Sequence, residues 1–127
     1  MTKSTTARMS KEKYLDKVIT WVEKRKISSI KTAFETEGYE SPKIFTNQAT
    51  KEQVQPDVSF TIDNATHYSE IALKCDDTRR LVTRWKLLST MASIKKGQLH
   101  LFAPKGHKIF TKKLVEDNNI DALIHSL

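Results

Sequence analysis

The stretch from Pro56 to Lys74, PDVSFTIDNATHYSEIALK, constrains the fold most, because two alternating arms flank the turn-forming run Asp63-Asn64-Ala65-Thr66. β-Branched and aromatic residues dominate both arms, Asp57 to Ile62 and His67 to Lys74, so the pattern predicts a β-hairpin. With Asn64 and Ala65 as the central turn residues, Val58 is expected opposite Ile71, Phe60 opposite Ser69, and Asp57 opposite Ala72. Val58, Phe60, Ile62, Ile71 and Leu73 then share one apolar face, which also receives His67 and Ser69. The other face carries Asp57, Ser59, Thr61, Tyr68, Glu70, Ala72 and Lys74. Diagonal neighbours across a ladder lie roughly 7 to 8 Å apart, close enough for Glu70 and Lys74 to converge with Asp57 on one small ion. An acid pair beside a lysine suits metal-assisted phosphodiester chemistry.

Helical spacing appears on both sides of the hairpin. Ser10 is placed to cap a helix through Tyr14, Leu15, Val18, Ile19 and Val22, and a second helical stretch through Ile30, Ala33 and Phe34 is expected to end at Gly38. A strand is expected at Lys43 to Thr46. After the hairpin, Asp77-Thr78 marks a helix start, Leu81, Val82, Trp85, Leu88, Met91 and Ala92 line one side, and Gly97 stops the run. Gln98 to Ala103 reads as a strand, Pro104 and Gly106 as a loop, and Ile109, Phe110, Leu114 and Val115 as a last helix. Ile120 to Leu127 is open between an edge strand and a helical tail.

Pro56-Asp57 and the following arm resemble the PD-(D/E)XK phosphodiesterase superfamily, the restriction-endonuclease-like fold. Pro56-Asp57 matches the PD of that pattern, and Ala72-Leu73-Lys74 falls at (D/E)XK, so Lys74 matches the lysine and Ala72 stands at the second acid. Glu70, two residues back on the same face, is the candidate replacement, with Asp76 and Asp77 behind it. The resemblance implies an α/β fold with a mixed sheet of about four strands flanked by helices, in the order α-β-β-β-α-β-α. It also implies Mg2+ or Mn2+ held by Asp57 and Glu70, with Lys74 stabilising charge on the phosphorane. Asp57, Glu70 and Lys74 are therefore the expected catalytic residues of a metal-dependent endonuclease acting on DNA, in a family whose members commonly work as homodimers. Members often add an acid from the first helix, where Glu12, Asp16 and Glu23 stand.

At 127 residues the chain has room for one domain, expected over residues 10–127 behind a disordered start at 1–9. No apolar run approaches the roughly 20 residues of a membrane span, and the first residues lack the apolar core of a signal peptide, so a soluble, intracellular (cytoplasmic) protein is expected. The single cysteine, Cys75, has no partner for an internal disulfide.

Net charge is +7, and the excess is +2 over residues 1–64 and +5 over 65–127. Arg79, Arg80, Arg84, Lys86, Lys105 and Lys108 are the candidate nucleic-acid contacts, through phosphate binding and counterion release. A solvated lysine-rich surface is the plain alternative. The four histidines, His67, His100, His107 and His125, show no metal-ligand spacing, so no zinc site is expected. Trp21 and Trp85 fall on apolar stripes and are expected in the core. Two further readings stay open: a catalytically inactive member of the same fold that binds nucleic acid, and a winged-helix-like regulator with a helix-turn-helix over Lys11 to Glu37 followed by the hairpin as its wing.

Overall fold

The structure, a computed structural model, describes residues 2–34 and 38–127, with side chains from Lys11 onward. Along the chain run α1 (Thr2–Glu23), β1 (Ser29–Thr32), β2 (Phe45–Thr46), β3 (Gln53–Val54), β4 (Val58–Ile62), β5 (Ala65–Ile71), α2 (Thr78–Ile94), β6 (Leu99–Ala103), α3 (Lys108–Asp117) and β7 (Ala122–Ser126). The main sheet has the order β1-β4-β5-β6-β7, antiparallel from β1 to β5 and parallel from β5 to β7. The fold is α/β, with a mixed five-stranded sheet and three helices among the described residues.

The hairpin forms with its faces as expected and its register shifted by two. Val58 pairs with Ser69, Phe60 with His67 and Ile62 with Ala65, rather than Val58 with Ile71 and Phe60 with Ser69. Asp63 and Asn64 are the turn residues, at φ 49° and 68°. Both central positions of the commonest two-residue hairpin turn need positive φ, which Asp and Asn tolerate and alanine resists, so an Asn64-Ala65 turn loses. Because side chains alternate every two residues, a shift of two leaves every side chain on its face. It does, however, bring Glu70 and not Ala72 opposite Asp57.

Other expectations are also corrected. The run Ile30 to Phe34 offers a single turn of helical spacing, whereas Ile30 and Thr32 alternate against Phe60 and Val58, and the segment to Thr32 pairs with β4 as an edge strand. No second helix therefore precedes the hairpin among the described residues, which removes the helix-turn-helix of the winged-helix reading. The strand expected at Lys43 to Thr46 is short and stands outside the main sheet, since Phe45–Thr46 pairs with Gln53–Val54 in a separate two-stranded ladder. The sheet has five strands, not about four, because β1 joins one edge and the open tail becomes β7 at the other. Helix α1 is already under way at Thr2, ahead of Ser10.

Each sheet face carries its own core. Leu15, Val18, Ile19 and Val22, spaced as one stripe of α1, are buried against Val58, Phe60, Ile71 and Phe102. On the opposite face Tyr68, Ala72, Leu99, Leu101 and Ala103 meet Trp85, Leu88 and Ala92 of α2 and Val115 of α3. Asp77 starts α2 by accepting the Arg80 N–H at 3.1 Å. Gly97 ends the following turn beside the hairpin: a Cβ there would stand 1.8 Å from the Thr66 carbonyl oxygen, so only glycine lets the two segments meet.

Candidate functional site

Asp57 lies one residue ahead of β4, and Glu70 lies near the end of β5 on the same face. Both are almost wholly buried, at 5% and 1% exposure. They are bound to each other through the backbone. The Asp57 N–H donates to Glu70 Oε2 at 3.0 Å, and the Ile71 N–H donates to Asp57 Oδ2 at 2.9 Å. Two carboxylates so placed need opposite charge nearby, because burial of an unpaired charge costs several kcal/mol.

The helices supply it. Lys11 of α1 places its Nζ 3.0 Å from Asp57 Oδ2 and 3.3 Å from Oδ1. Arg84 of α2 grips Glu70 with two nitrogens, Nη2 donating to Oε2 at 3.0 Å and Nε to Oε1, while Nη2 also donates to the Gln55 carbonyl. The result is a quartet of two acids and two cations with no net charge. Burial pushes both carboxyls up, yet Arg84 and Lys11 hold Glu70 down to about 2. Burial and the neighbouring Glu70 charge push Asp57 up, more than Lys11 and Arg84 lower it. Both Asp57 oxygens accept hydrogen bonds, as a carboxylate does, and on acidification Asp57 takes up a proton before Glu70. Burial opposes the charged forms of Lys11 and Arg84, but the acids keep both protonated above their ordinary range.

Of the expected catalytic trio, Asp57 and Glu70 come together and Lys74 stands apart. It lies beyond the end of β5, exposed, with its N–H donating to His107 Nδ1 at 2.9 Å. The lysine beside Asp57 is Lys11 rather than Lys74, and the first-helix acids Glu12, Asp16 and Glu23 are all three solvent-exposed. A signal was present: Lys11 precedes Leu15 by four residues, and so continues the stripe Leu15-Val18-Val22 as a cation on an apolar face. Arg84 carries the same signal, four residues ahead of Leu88. Expected at a nucleic acid, Arg84 instead lies engaged inside the quartet. Arg79, Arg80, Lys86, Lys105 and Lys108 are exposed, and Arg80 also pairs with Glu52 at 3.2 Å.

Magnesium favours several hard oxygen ligands in near-octahedral array. Here the quartet offers two carboxylates whose charge is already balanced, and adding a divalent ion would leave buried positive charge unless Lys11 withdrew. Among the described residues no group of three or more His, Cys, Asp or Glu is placed to hold a metal ion. The quartet as built does not fit a resident magnesium centre.

A second polar cluster lies on the α1 face. His100 Nδ1 is 2.9 Å from His125 Nε2, and His100 Nε2 is 3.2 Å from His67 Nδ1. The Gln98 N–H donates to His67 Nδ1 at 3.1 Å, which makes that nitrogen an acceptor. His100 then donates through Nε2, its Nδ1 accepts, and His125 donates through Nε2: three neutral rings in one directed chain. Burial, reinforced by His125, His67 and Arg25, pushes His100 down to about 3, and burial also lowers His67 and His125. Trp21 packs on His125 and His100 at 4.5 and 5.5 Å between ring centres. No short spacing in the sequence joins these histidines; parity within three separate strands does. Compared with protein-family models, curated proteins and solved structures, the chain matches none.

Proposed function

We propose that this chain is a nucleic-acid-binding protein on a restriction-endonuclease-like core, in which the acid pair has become an internally neutralised structural site. The observation that carries the reading is the Asp57–Glu70 pair at the ends of adjacent antiparallel strands, with Lys11 and Arg84 closed over it. On this reading the register of β4 and β5 aligns Glu70-Ile71-Ala72, rather than Ala72-Leu73-Lys74, with (D/E)XK. The second acid is then in position and the lysine position is the alanine. The surroundings favour a polyanion. Outside the quartet, helix α2 bears the exposed Arg79, Arg80 and Lys86 and no acid, and α3 begins with Lys108 beside the exposed Lys105. With the acids neutralised, that end of the sheet presents positive charge to phosphates.

The same acid pair supports a second reading, magnesium- or manganese-dependent cleavage of DNA by Asp57 and Glu70. That reading requires Lys11 to leave Asp57. Fluorescence anisotropy with duplex, single-stranded and branched DNA at rising salt tests binding, with a parallel incubation in magnesium to detect cleavage. Binding is expected to weaken steeply with salt, and Arg79→Ala with Lys86→Ala to reduce the slope of log affinity against log salt by somewhat under one unit per lost contact. Affinity indifferent to salt would refute binding through phosphates, and no binding to any of the three DNAs would refute the nucleic-acid reading. Magnesium-dependent cleavage lost in Asp57→Ala would replace the structural reading with the nuclease one.

A further inference from the structure

Strands β5, β6 and β7 run parallel, so the segments leaving them gather at one end of the sheet. There they bound a solvent-open groove of about 680 Å³. Its apolar walls include Pro104, Phe110 and Leu127, and Lys74, Lys105 and Lys108 line it beside them. Ile109, in the first turn of α3, is 86% exposed at this groove, an apolar side chain left in water among lysines. The His107 imidazole accepts the Lys74 N–H at 2.9 Å, which ties the exit of β5 to the start of α3. Because β4 is antiparallel to β5, Asp57 and Glu70 lie at this same end. Crevices outside the carboxyl ends of strands are the usual ligand sites of open α/β sheets.

We infer that this groove receives an unstacked base of a single-stranded nucleic acid, with the flanking phosphates on Lys74 and on Lys105 and Lys108. A base has an apolar face, and its strand carries an anion on each side, which matches apolar walls between cations on two different segments. A fatty acid has one carboxylate for three lysines, and its tail calls for an enclosed tunnel. A duplex keeps its bases stacked inside and meets only the lysines. Stacking of a base on an aromatic side chain, here Phe110, is tolerant of sequence, and burial of the base against Ile109 is equally non-specific, so no particular base is specified. The inference rests on the nucleic-acid reading for the class of ligand and adds its strandedness.

The test is fluorescence anisotropy in EDTA, comparing labelled (dT)8 with a blunt hairpin duplex of equal phosphate number. Wild type is expected to prefer (dT)8 by about tenfold. Ile109→Ser, at a position too exposed to disturb the fold, should bring the two affinities together by weakening (dT)8 alone. Lys105→Glu with Lys108→Glu should weaken (dT)8 by about tenfold or more. Equal affinities in wild type, or a preference that survives Ile109→Ser, overturns the inference while leaving salt-dependent nucleic-acid binding intact. Binding of oleate with no binding of (dT)8 overturns it too, and absence of binding to either DNA removes the nucleic-acid reading as a whole.

Discussion

The two faces of one sheet solve the same problem, ionisable groups under a helix, in different ways. On the α2 face Asp57 and Glu70 keep their charges, cancelled in pairs by Lys11 of α1 and Arg84 of α2. On the α1 face His67, His100 and His125 give up their protons and remain neutral as a hydrogen-bonded chain. Cancellation makes each member depend on its partner, so single substitutions should be costly and paired ones mild. Deprotonation makes the other cluster depend on solvent pH. The difference locates the sensitivity of each half of the molecule: partner loss for one, acid for the other.

The largest effect is expected from Arg84→Met, which leaves Glu70 as a buried charge with one cation removed; urea unfolding should show a loss of about 3 to 5 kcal/mol. Adding Glu70→Gln to Arg84→Met should recover most of that loss, since the pair is then removed together. A single-variant loss under about 1 kcal/mol would place the pair among surface salt bridges and break the contrast.

Acid should act next, and with a defined sign. His100 has a folded pKa of about 3 against an ordinary 6.5, so its contribution is complete above pH 6.5 and is lost as the pH falls from there toward 3. The slope is roughly 1.4 kcal/mol per pH unit for one such group, and His67 and His125 act in the same direction. In the quartet the two acids oppose each other. Glu70, lowered from 4.5 to about 2, loses stability as the pH drops through that window, while Asp57, raised, favours the folded state on protonation. His100→Phe should therefore flatten the stability profile between pH 6.5 and 4. An unchanged profile would mean that the histidine chain does not set acid sensitivity.

Much of this organisation was legible in the chain. The faces of β4 and β5 follow from alternation, and α2, β6 and α3 follow from Asp77, Gly97 and their apolar spacing. Register was not legible to within two residues, because face sorting is blind to a shift of two and only the backbone preference of Asp63 and Asn64 decides it. β1 was hidden because its single turn of helical spacing competes with a two-residue alternation that counts only once β4 is beside it. The site was half visible. Asp57 and Glu70 share a face by local pattern, whereas Lys11 and Arg84 arrive from helices far along the chain, and nothing local states which acid each will meet. The histidine chain is non-local in the same way, assembled from three strands whose order is a property of the sheet.

The smallest expected effect is the most direct test of the claim that Asp57 and Glu70 are neutralised from within. Calorimetric titration of the purified protein with magnesium and then manganese, beside Asp57→Ala and Lys11→Ala, reads it. Wild type should show no saturable heat at the quartet and no metal-dependent rise in Tm, because Lys11 and Arg84 already balance the two carboxylates. Stoichiometric metal binding by wild type that disappears in Asp57→Ala and tightens in Lys11→Ala would contradict the account and make the quartet a metal centre closed by its own lysine.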